Sequence, residues 1–582
     1  MIAFCEENGA LLARRKGETL RLEGWGTDAL RVRSTMLPKL PDTPHALTEE
    51  VQHKAEVVIH EQSAEIINGA IRATVNDAGV ICFFKRDHAE GEWKLILQEY
   101  YSFYGGSIRK EAICFKILSR EYQGIGSDTF RVTARFESDP EEKLYGMGQY
   151  QQPNLNIKGC VLPLEQRNSQ VSVPFVISDK GYGMLWNNPA TGEVTFARNL
   201  TKWVASETDA LDYWITAGET PKDLVRNYTE CVGRAPVMED DYLGLWQCKL
   251  RYRTPEEVLS VARHYKELGI KLDVIVIDFF HWPYQGDWCF DPVYWPEDKV
   301  RAMAEELHDM GTRVMISVWP SVDSRSANFR EMEEKGLMSR TELGSWMTYD
   351  YQGACGTVDY FNPEAQRYVW EKCRDHYRKL GIDLFWLDNC EPDQVKYDYD
   401  NIRYCTGRAA KVGNEYPKKC AEAFYQGLTE EGDTHFVNLI RSSWVGGQKY
   451  RTLVWTGDVQ SNFESFKDQV IAGQNMGLAG FPWWTTDIGG FMTKDVKDPA
   501  FVELLIRWYQ FGVFCPVLRM HGDRGPYDIP ALDNRDFGGG YLRTGQPNEL
   551  WSYGDEAYRI MKKYLDLRLS MKDCYEVTVV KP

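Results

Sequence analysis

The chain has 582 residues, and at roughly 150 residues per domain this length predicts about four domains, or fewer if one of them is a large barrel. Hydrophobic residues make up 43% and aromatic residues 13%, so the chain has ample apolar surface to bury and is not a disordered protein. Its formal net charge of −17 argues against a nucleic-acid binder, because phosphate contacts need a basic face.

The N-terminus and the cysteines indicate where the protein works. Residues 1–7 hold no basic segment ahead of an apolar one, so no signal peptide is expected. No run of about 18 or more apolar residues occurs, so no membrane span is expected either. The 14 Cys are scattered without a C-x-x-C pair, which favours a reducing cytoplasm over a disulfide scaffold.

Residues 1–236 predict an N-terminal β-sandwich domain. Short β-rich segments are separated by turn signals such as Asn68-Gly69. The predicted strands are 56–60, 70–75, 80–85, 130–136, 171–178 and 182–187. Turns at this spacing are typical of a sandwich. A helix over 221–231 and a linker at 233–236 close the domain.

Residues 237–571 predict a (β/α)8 TIM barrel, since strands and helices alternate from about residue 240 onwards. The strands are predicted at 242–246, 273–279, 313–319, 383–388, 436–440, 452–455, 478–484 and 513–519. Helices are predicted at 255–268, 299–310, 363–380, 415–430, 463–475 and 499–511. A doubly wound open sheet is the rival, but the Gly-rich phosphate turn expected after its first strand is absent. A last helix near 555–569 precedes a short tail, 572–582.

Polar and aromatic residues follow the predicted barrel strands, where barrel enzymes place their active residues. They are Asp278, Trp319, Trp386, Asp388, Glu391, Arg441, Trp455, Asp458, Trp484, Asp487, Arg519 and His521. A single Asp after a strand often only caps the next helix. Four Asp at strand ends should instead converge on one mouth, and their repulsion favours one ionised and one protonated partner. Cleavage of a glycosidic bond needs such a pair.

Other chemistries lack their motifs. The 10 His contain no H-E-x-x-H and no pair at metal-ligand spacing. The nucleophile elbow G-x-S-x-G and the P-loop are also absent. We therefore expect no metal and no cofactor.

Eight stretches together resemble glycoside hydrolase family 31, the retaining α-glucosidases and α-xylosidases. They run in family order over about residues 140–525, and eight in register are far more specific than any one alone. The stretches are 244–252, 272–278, 286–292, 385–391, 441–450, 455–458, 484–491 and 519–522. Family members usually carry one or two further β-sandwiches after the barrel, and here that C-terminal domain is expected to be missing.

The resemblance implies residue roles. Asp388 matches the family nucleophile and Asp458 the acid/base, whose carboxyl groups should lie about 5–5.5 Å apart in a retaining enzyme. Some residues match family residues that bind the sugar, and others lie beside them at the strand ends. Together the predicted substrate-binding residues are Asp278, Trp319, Trp386, Glu391, Arg441, Trp455, Trp484, Asp487, Arg519 and His521.

The implied activity is a retaining exo-α-glycosidase acting on terminal α-linked xylose or glucose of an oligosaccharide or α-glycoside. The stretch 286–290 favours the xylosidase, and a bulky residue within 281–290 could fill the space of the extra hydroxymethyl group of glucose. Such a contact is worth only ~1–3 kcal/mol, so an α-glucosidase stays open, as does a transglycosylase. From another class, a non-catalytic carbohydrate-binding protein is the alternative. Neither a nucleic-acid nor a membrane partner is expected, and the oligomeric state is left open.

Overall fold

The structure is a computed structural model that describes residues 2–101, 117–126, 128–343, 353–392, 399–534 and 543–571. The tail predicted at 572–582 lies outside the described residues.

The N-terminal part is built of antiparallel strands that form one nine-stranded and two five-stranded sheets. The strands are β1 Ala3–Glu7, β2 Ala10–Arg15, β3 Glu18–Trp25, β4 Ala29–Thr35, β5 Gln52–His53, β6 Glu56–Ile59, β7 Ser63–Asn68, β8 Ile71–Asn76, β9 Ile81–Lys85, β10 Lys94–Gln98, β11 Arg120–Ile125, β12 Thr129–Phe136, β13 Leu144–Gln149, β14 Val161–Leu164, β15 Val171–Ser178, β16 Tyr182–Trp186, β17 Gly192–Phe196, β18 Thr201–Thr208 and β19 Leu211–Ala217.

These sheets pack as a sandwich around a shared apolar core. Strand β8 shows the alternation that produces it, with Ile71, Ala73 and Val75 buried and the residues between them more exposed. Their side chains join those of the other sheets in one cluster, in which Trp186 and Trp203 stack with ring centroids 5.5 Å apart. The predicted β-sandwich is confirmed as the fold of this region.

Helix α1, Pro221–Val232, leads from the sandwich to the barrel and begins at a capping box of Thr220 and Asp223. The barrel strands are β20 Leu245–Cys248, β21 Leu272–Ile277, β22 Arg313–Val318, β26 Leu384–Leu387, β29 Asn438–Ile440, β30 Thr452–Trp455, β31 Trp484–Thr485 and β33 Leu518–Met520. The shorter strands in the connections are β23 Ser321–Asp323, β24 Arg340–Thr341, β25 Cys355–Thr357, β27 Ile402–Tyr404, β28 Gly407–Arg408, β32 Met492–Thr493 and β34 Asp523–Arg524. The helices are α2 Pro255–Glu267, α3 Glu297–Asp309, α4 Phe329–Glu334, α5 Pro363–His376, α6 Ala409–Val412, α7 Tyr416–Glu430, α8 Phe463–Leu478, α9 Pro499–Gly512 and α10 Asp555–Ser570.

The eight barrel strands pair in parallel and in chain order, with β33 returning beside β20, which makes a nearly closed barrel. This confirms the predicted barrel. The seventh strand was predicted at 478–484 and this extent is wrong, because α8 continues to Leu478 and the strand is only Trp484–Thr485. The eighth strand was predicted at 513–519 and this start is wrong, because α9 continues to Gly512 and a turn follows it, so the strand begins only at Leu518.

The sandwich and the barrel share buried contacts close to the barrel mouth. Strand β13 lies against α8, where the backbone N–H of Gly146 donates to Asn475 Oδ1 at 2.9 Å. At the end of β13, Trp484 Nε1 donates to Gln149 Oε1 at 2.9 Å. One apolar cluster runs from Phe175 of the sandwich into the barrel. Within the described part of the chain, no helix combines the length and the apolar character that a bilayer crossing requires.

Candidate active site

Asp388 directly follows β26 and lies buried at the C-terminal rim of the barrel. Its backbone N–H donates to Val318 O at 3.1 Å, which carries the edge of β26 one residue past the strand. The next residue, Asn389, has φ of 54°, a left-handed conformation that Asn tolerates better than most residues. The chain therefore turns sharply and leaves the Asp388 carboxylate at the mouth.

Burial raises the pKa of Asp388 to about 6; nearby Arg441 opposes the shift, and the charges of Asp458 and Glu391 add to it. Desolvation disfavours the charged form of a carboxyl group, so the ionised state of Asp388 depends on its positive neighbour.

Asp458 follows β30 through Gly457, whose φ of 69° is a left-handed conformation. The Asp458 side chain is 33% exposed, whereas that of Asp388 is 9% exposed. A carboxyl group that remains open to solvent can exchange protons with water, whereas a buried one can face a substrate in a drier environment.

Arg441 follows β29 and links the two carboxylates. Its Nη1 lies 3.4 Å from Asp388 Oδ1 and 3.5 Å from Asp458 Oδ2. Sharing one nitrogen keeps these two oxygens within about 7 Å of each other, which accommodates the ~5–5.5 Å separation of a retaining pair. The guanidinium is itself held by Glu391, to which Nε donates at 2.6 Å and Nη2 at 3.2 Å. This bidentate pair fixes the direction of Nη1.

Two further pairs of titratable residues follow the barrel strands. Asp487 follows β31 and accepts a hydrogen bond from Arg519 of β33. Burial raises the pKa of Asp487 to about 6, against the effect of Arg519. Asp278 follows β21, and its Oδ2 lies 3.8 Å from Nε2 of His521, which follows β33. Burial raises the pKa of Asp278 and lowers that of His521, so burial opposes charge on both.

Several buried polar atoms of the residues at the mouth have no hydrogen-bond partner among the residues that the structure describes. They are Asp278 Oδ2, Asp487 Oδ2, His521 Nδ1, Trp386 Nε1 and Trp455 Nε1. Buried polar groups are normally paired, so a group of unpaired ones at one mouth fits a polar ligand rich in hydroxyl groups.

Aromatic rings form the floor and one wall of the mouth. Trp386 packs edge-on against Trp455 and His521, with centroid distances of 5.3 and 5.0 Å. The guanidinium of Arg519 lies 4.7 Å from the ring centre of Trp386. Trp319 belongs to a separate aromatic group with Phe279, Phe280 and Trp282, and its ring centre is 4.6 Å from that of Phe279. These flat surfaces suit the apolar faces of a sugar ring.

The predicted site residues lie at the C-terminal rim of the barrel, but they do not all face its mouth in the same way. Trp484 is buried at 3% exposure and its indole N–H is bound by Gln149, so it supports the wall from behind. The prediction missed two contributors. Arg251 lies over Phe279 at 4.1 Å, and Asn168, from the sandwich, donates to Asp458 Oδ2 at 2.7 Å. No local sequence signal marks Asn168, which is 290 residues from Asp458 along the chain.

One group of metal-type donors occurs in the described ranges. Donor atoms of Cys248, Asp278 and His521 all lie within 4.8 Å of one another. The positive charge of Arg519 acts on both Asp278 and His521 and would repel a cation. The donor set therefore fits a metal poorly.

Comparison with known proteins agrees with this geometry. A family model described as "Glycosyl hydrolases family 31 TIM-barrel domain" matches residues 235–575. An uncharacterized family 31 glucosidase, ORF2, of Pseudescherichia vulneris is 48% identical over 534 residues, which is 90% of this chain and 100% of that protein. An α-xylosidase of Saccharolobus solfataricus is 31% identical over 76% of this chain and 58% of its own length.

Two solved structures also match this chain over almost its whole length. The crystal structure of a family 31 α-xylosidase from a soil metagenome, complexed with xylose, matches with a TM-score of 0.94 and 47% identity, over 99% of this chain and 85% of that one. A xylosidase from Aspergillus niger matches with a TM-score of 0.87 and 27% identity, over 98% of this chain and 83% of that one.

Proposed function

The chain belongs to glycoside hydrolase family 31, and from that premise we propose that it removes terminal α-linked xylose from the non-reducing end of oligosaccharides with retention of configuration. We assign Asp388 as the nucleophile and Asp458 as the general acid/base. The observation that carries this assignment is that both carboxylates approach the same nitrogen of Arg441, at 3.4 and 3.5 Å.

In the first step, an Asp388 oxygen attacks the anomeric carbon while the bond from that carbon to the leaving oxygen breaks. Asp458 donates its proton to the leaving oxygen, so the departing sugar leaves as a neutral alcohol. The product is a β-linked glycosyl ester on Asp388. Arg441 stabilises the ionised nucleophile before attack, because its positive charge lowers the pKa of that carboxyl group.

In the second step, water attacks the anomeric carbon from the side that the leaving group vacated. Asp458, now ionised, takes a proton from that water, and the bond between the sugar and Asp388 breaks. Two inversions give net retention and return both carboxyl groups to their starting states. Neither step uses a cofactor. Asp278, Asp487 and His521 would hold the sugar hydroxyls with their unpaired polar atoms.

The preference for xylose is supported by the α-xylosidases among the relatives and by the aromatic wall beside Asp278. Phe279 immediately follows Asp278 and packs on Trp319, and this bulk would crowd a hydroxymethyl group on C5. The difference is worth about 1–3 kcal/mol, which corresponds to roughly 10–200-fold in kcat/KM.

We also propose that the enzyme acts in the cytoplasm. The described cysteines are free thiols, several of them buried, as in proteins of a reducing compartment. Cell fractionation that recovers the activity outside the cytoplasm would contradict this.

The experiment for the proposed function compares hydrolysis of aryl α-xyloside, α-glucoside and α-galactoside side by side. We expect the highest kcat/KM on the xyloside, α-xylose as the first product, and labelling of Asp388 by a mechanism-based fluoro-xyloside. Labelling of another residue would overturn the nucleophile, and faster turnover of the glucoside would overturn the sugar preference. No turnover of any of the three, with sugar still bound, would favour a carbohydrate-binding protein.

A further inference from the structure

Asn168 lies at the tip of a tight hairpin that the sandwich extends over the barrel mouth. The hairpin is closed by backbone hydrogen bonds between Arg167 and Gln170, at 3.2 and 2.9 Å, which leaves Asn168 and Ser169 as its two central residues. Ser169 has φ of 66°, and a positive φ at the second central residue alone is typical of a type II turn. Through this turn the sandwich contacts Asp458.

The contact between Asn168 and Asp458 has two hydrogen bonds. Asn168 Nδ2 donates to Asp458 Oδ2 at 2.7 Å, and the backbone N–H of Asp458 donates to Asn168 Oδ1 at 2.9 Å. A backbone N–H can only donate, so it determines which end of the amide is the oxygen. The amide N–H must then face the carboxyl group, and the two bonds together hold both the position and the rotation of that group.

Both sides of the contact are shaped for close approach. A Cβ on Gly457 would lie 2.5 Å from Ser169 N and 2.6 Å from Asn168 Oδ1, so only glycine lets the turn reach the backbone beside Asp458. On the sandwich side, Gln149 and Gln151 both donate to Ser169 O, at 3.3 and 2.7 Å. The turn is therefore held from two sides and cannot easily drift away from Asp458.

The two oxygens of Asp458 have different surroundings. Oδ2 accepts from Asn168 and lies 3.5 Å from Arg441 Nη1, whereas Oδ1 has no hydrogen-bond partner among the described residues. Donors and positive charge favour the oxygen that carries no proton. In the acid form, the proton is thus directed to Oδ1.

We propose that Asn168 is a positioning residue for the general acid/base: it holds Oδ2 as the acceptor so that Oδ1 carries the proton to the leaving group. This inference rests on the proposed function, because it assigns to the sandwich a part in the step that Asp458 performs. Asn168 acts through Asp458 and not on the sugar. The loss of kcat/KM in its variants should therefore be largest for leaving groups that most need a proton.

The test is kcat/KM of Asn168→Ala for aryl α-xylosides whose phenols span a wide range of acidity. Because general acid catalysis is worth about 10²–10⁴-fold, losing its orientation should lower kcat/KM about 10-fold or more for the least acidic phenols. For a dinitrophenyl leaving group we expect little change, and the inhibition constant of free xylose should stay the same. An equal loss for every leaving group would overturn the proposal.

Ser169→Ala is the matched control. It removes a hydroxyl from the same turn, whose bond to Asn168 Oδ1 is 3.2 Å long, and keeps the amide in contact with Asp458. We expect this variant to behave as wild type. If it loses activity with the same dependence on leaving group as Asn168→Ala, the turn as a whole is responsible and the role of the amide is refuted.

Asn168→Asp is the second variant and keeps the shape of the side chain. It replaces the amide N–H that donates to Asp458 Oδ2 with an oxygen that cannot donate, so kcat/KM should fall most for the least acidic phenols, as for Asn168→Ala. Wild-type activity, or a loss that is equal for every leaving group, would contradict the proposal.

Failure of this inference can be told apart from failure of the proposed function. If Asp458→Ala shows the leaving-group dependence of a general acid and Asn168→Ala does not, only the positioning role is wrong. If Asp458→Ala lacks that dependence, the assignment of the acid itself is wrong, whatever Asn168 does.

Discussion

The buried nucleophile should destabilise the fold that holds it. The pKa of Asp388 rises from an ordinary value of 3.8 to about 6 on folding, mainly because the carboxylate loses its water. Two pKa units at about 1.36 kcal/mol each correspond to about 3 kcal/mol. Replacing Asp388 with Asn keeps the shape and removes the charge. We therefore expect Asp388→Asn to be inactive and yet more stable than wild type at pH 7.5, by up to about 3 kcal/mol.

The sign of the effect determines its dependence on pH. A carboxyl group whose pKa is higher in the folded state favours folding most when it is protonated, and this contribution is lost as the pH rises through the folded pKa. The stability gap between Asp388→Asn and wild type should thus be full above pH 6. It should shrink to about half at pH 5 and vanish below the unfolded value of 3.8.

Thermal unfolding of both proteins at pH 7.5 and pH 5 measures this gap as a difference in Tm of several degrees. Asp77→Asn is the control, since it removes one negative charge from an exposed turn of the sandwich. We expect no change in its Tm. Two results would refute the reasoning that burying the ionised Asp388 costs folding free energy. One is equal stability of Asp388→Asn and wild type at pH 7.5, and the other is a stability difference that widens as the pH falls.

Three further predictions concern catalysis. Asp458→Ala should lose most activity on substrates with poor leaving groups, since an acidic phenol needs little protonation. Azide should partly restore turnover of a substrate with a good leaving group, and the product should be the α-glycosyl azide, because azide attacks the β-linked ester from the same side as water. Uniform loss without rescue would count against Asp458 as the acid/base. The acidic limb of kcat/KM in wild type should have its midpoint near pH 6, where Asp388 gains its proton. Glu391→Gln removes a negative charge that raises the pKa of Asp388, so the acidic limb should move to lower pH. A shift of that limb to higher pH would show that Glu391 acts mainly by holding Arg441.

The order of strands and helices could be read from the sequence because each barrel unit is local. Apolar strands and amphipathic helices alternate along the chain, and parallel strands in chain order place all their C-terminal ends on one rim. Asp278, Asp388, Asp458 and Asp487 could therefore be predicted to meet. The seventh strand was placed too early, because Leu478 is the apolar end of helix α8. A short apolar run can belong to a strand or to a packed helix, and periodicity does not separate the two.

Charge states and cross-domain contacts were decided only by the tertiary structure. The pKa of Asp388 depends on how completely its neighbours exclude water and on the position of Arg441, 53 residues further along the chain. The turn that carries Asn168 belongs to another domain, and its approach to Asp458 depends on the packing of β13 against α8 and on the absence of a side chain at Gly457. A local pattern reports which face of a strand is buried. It holds no information about which distant segment comes to lie over that strand's end, since that depends on how the sandwich and the barrel pack against each other.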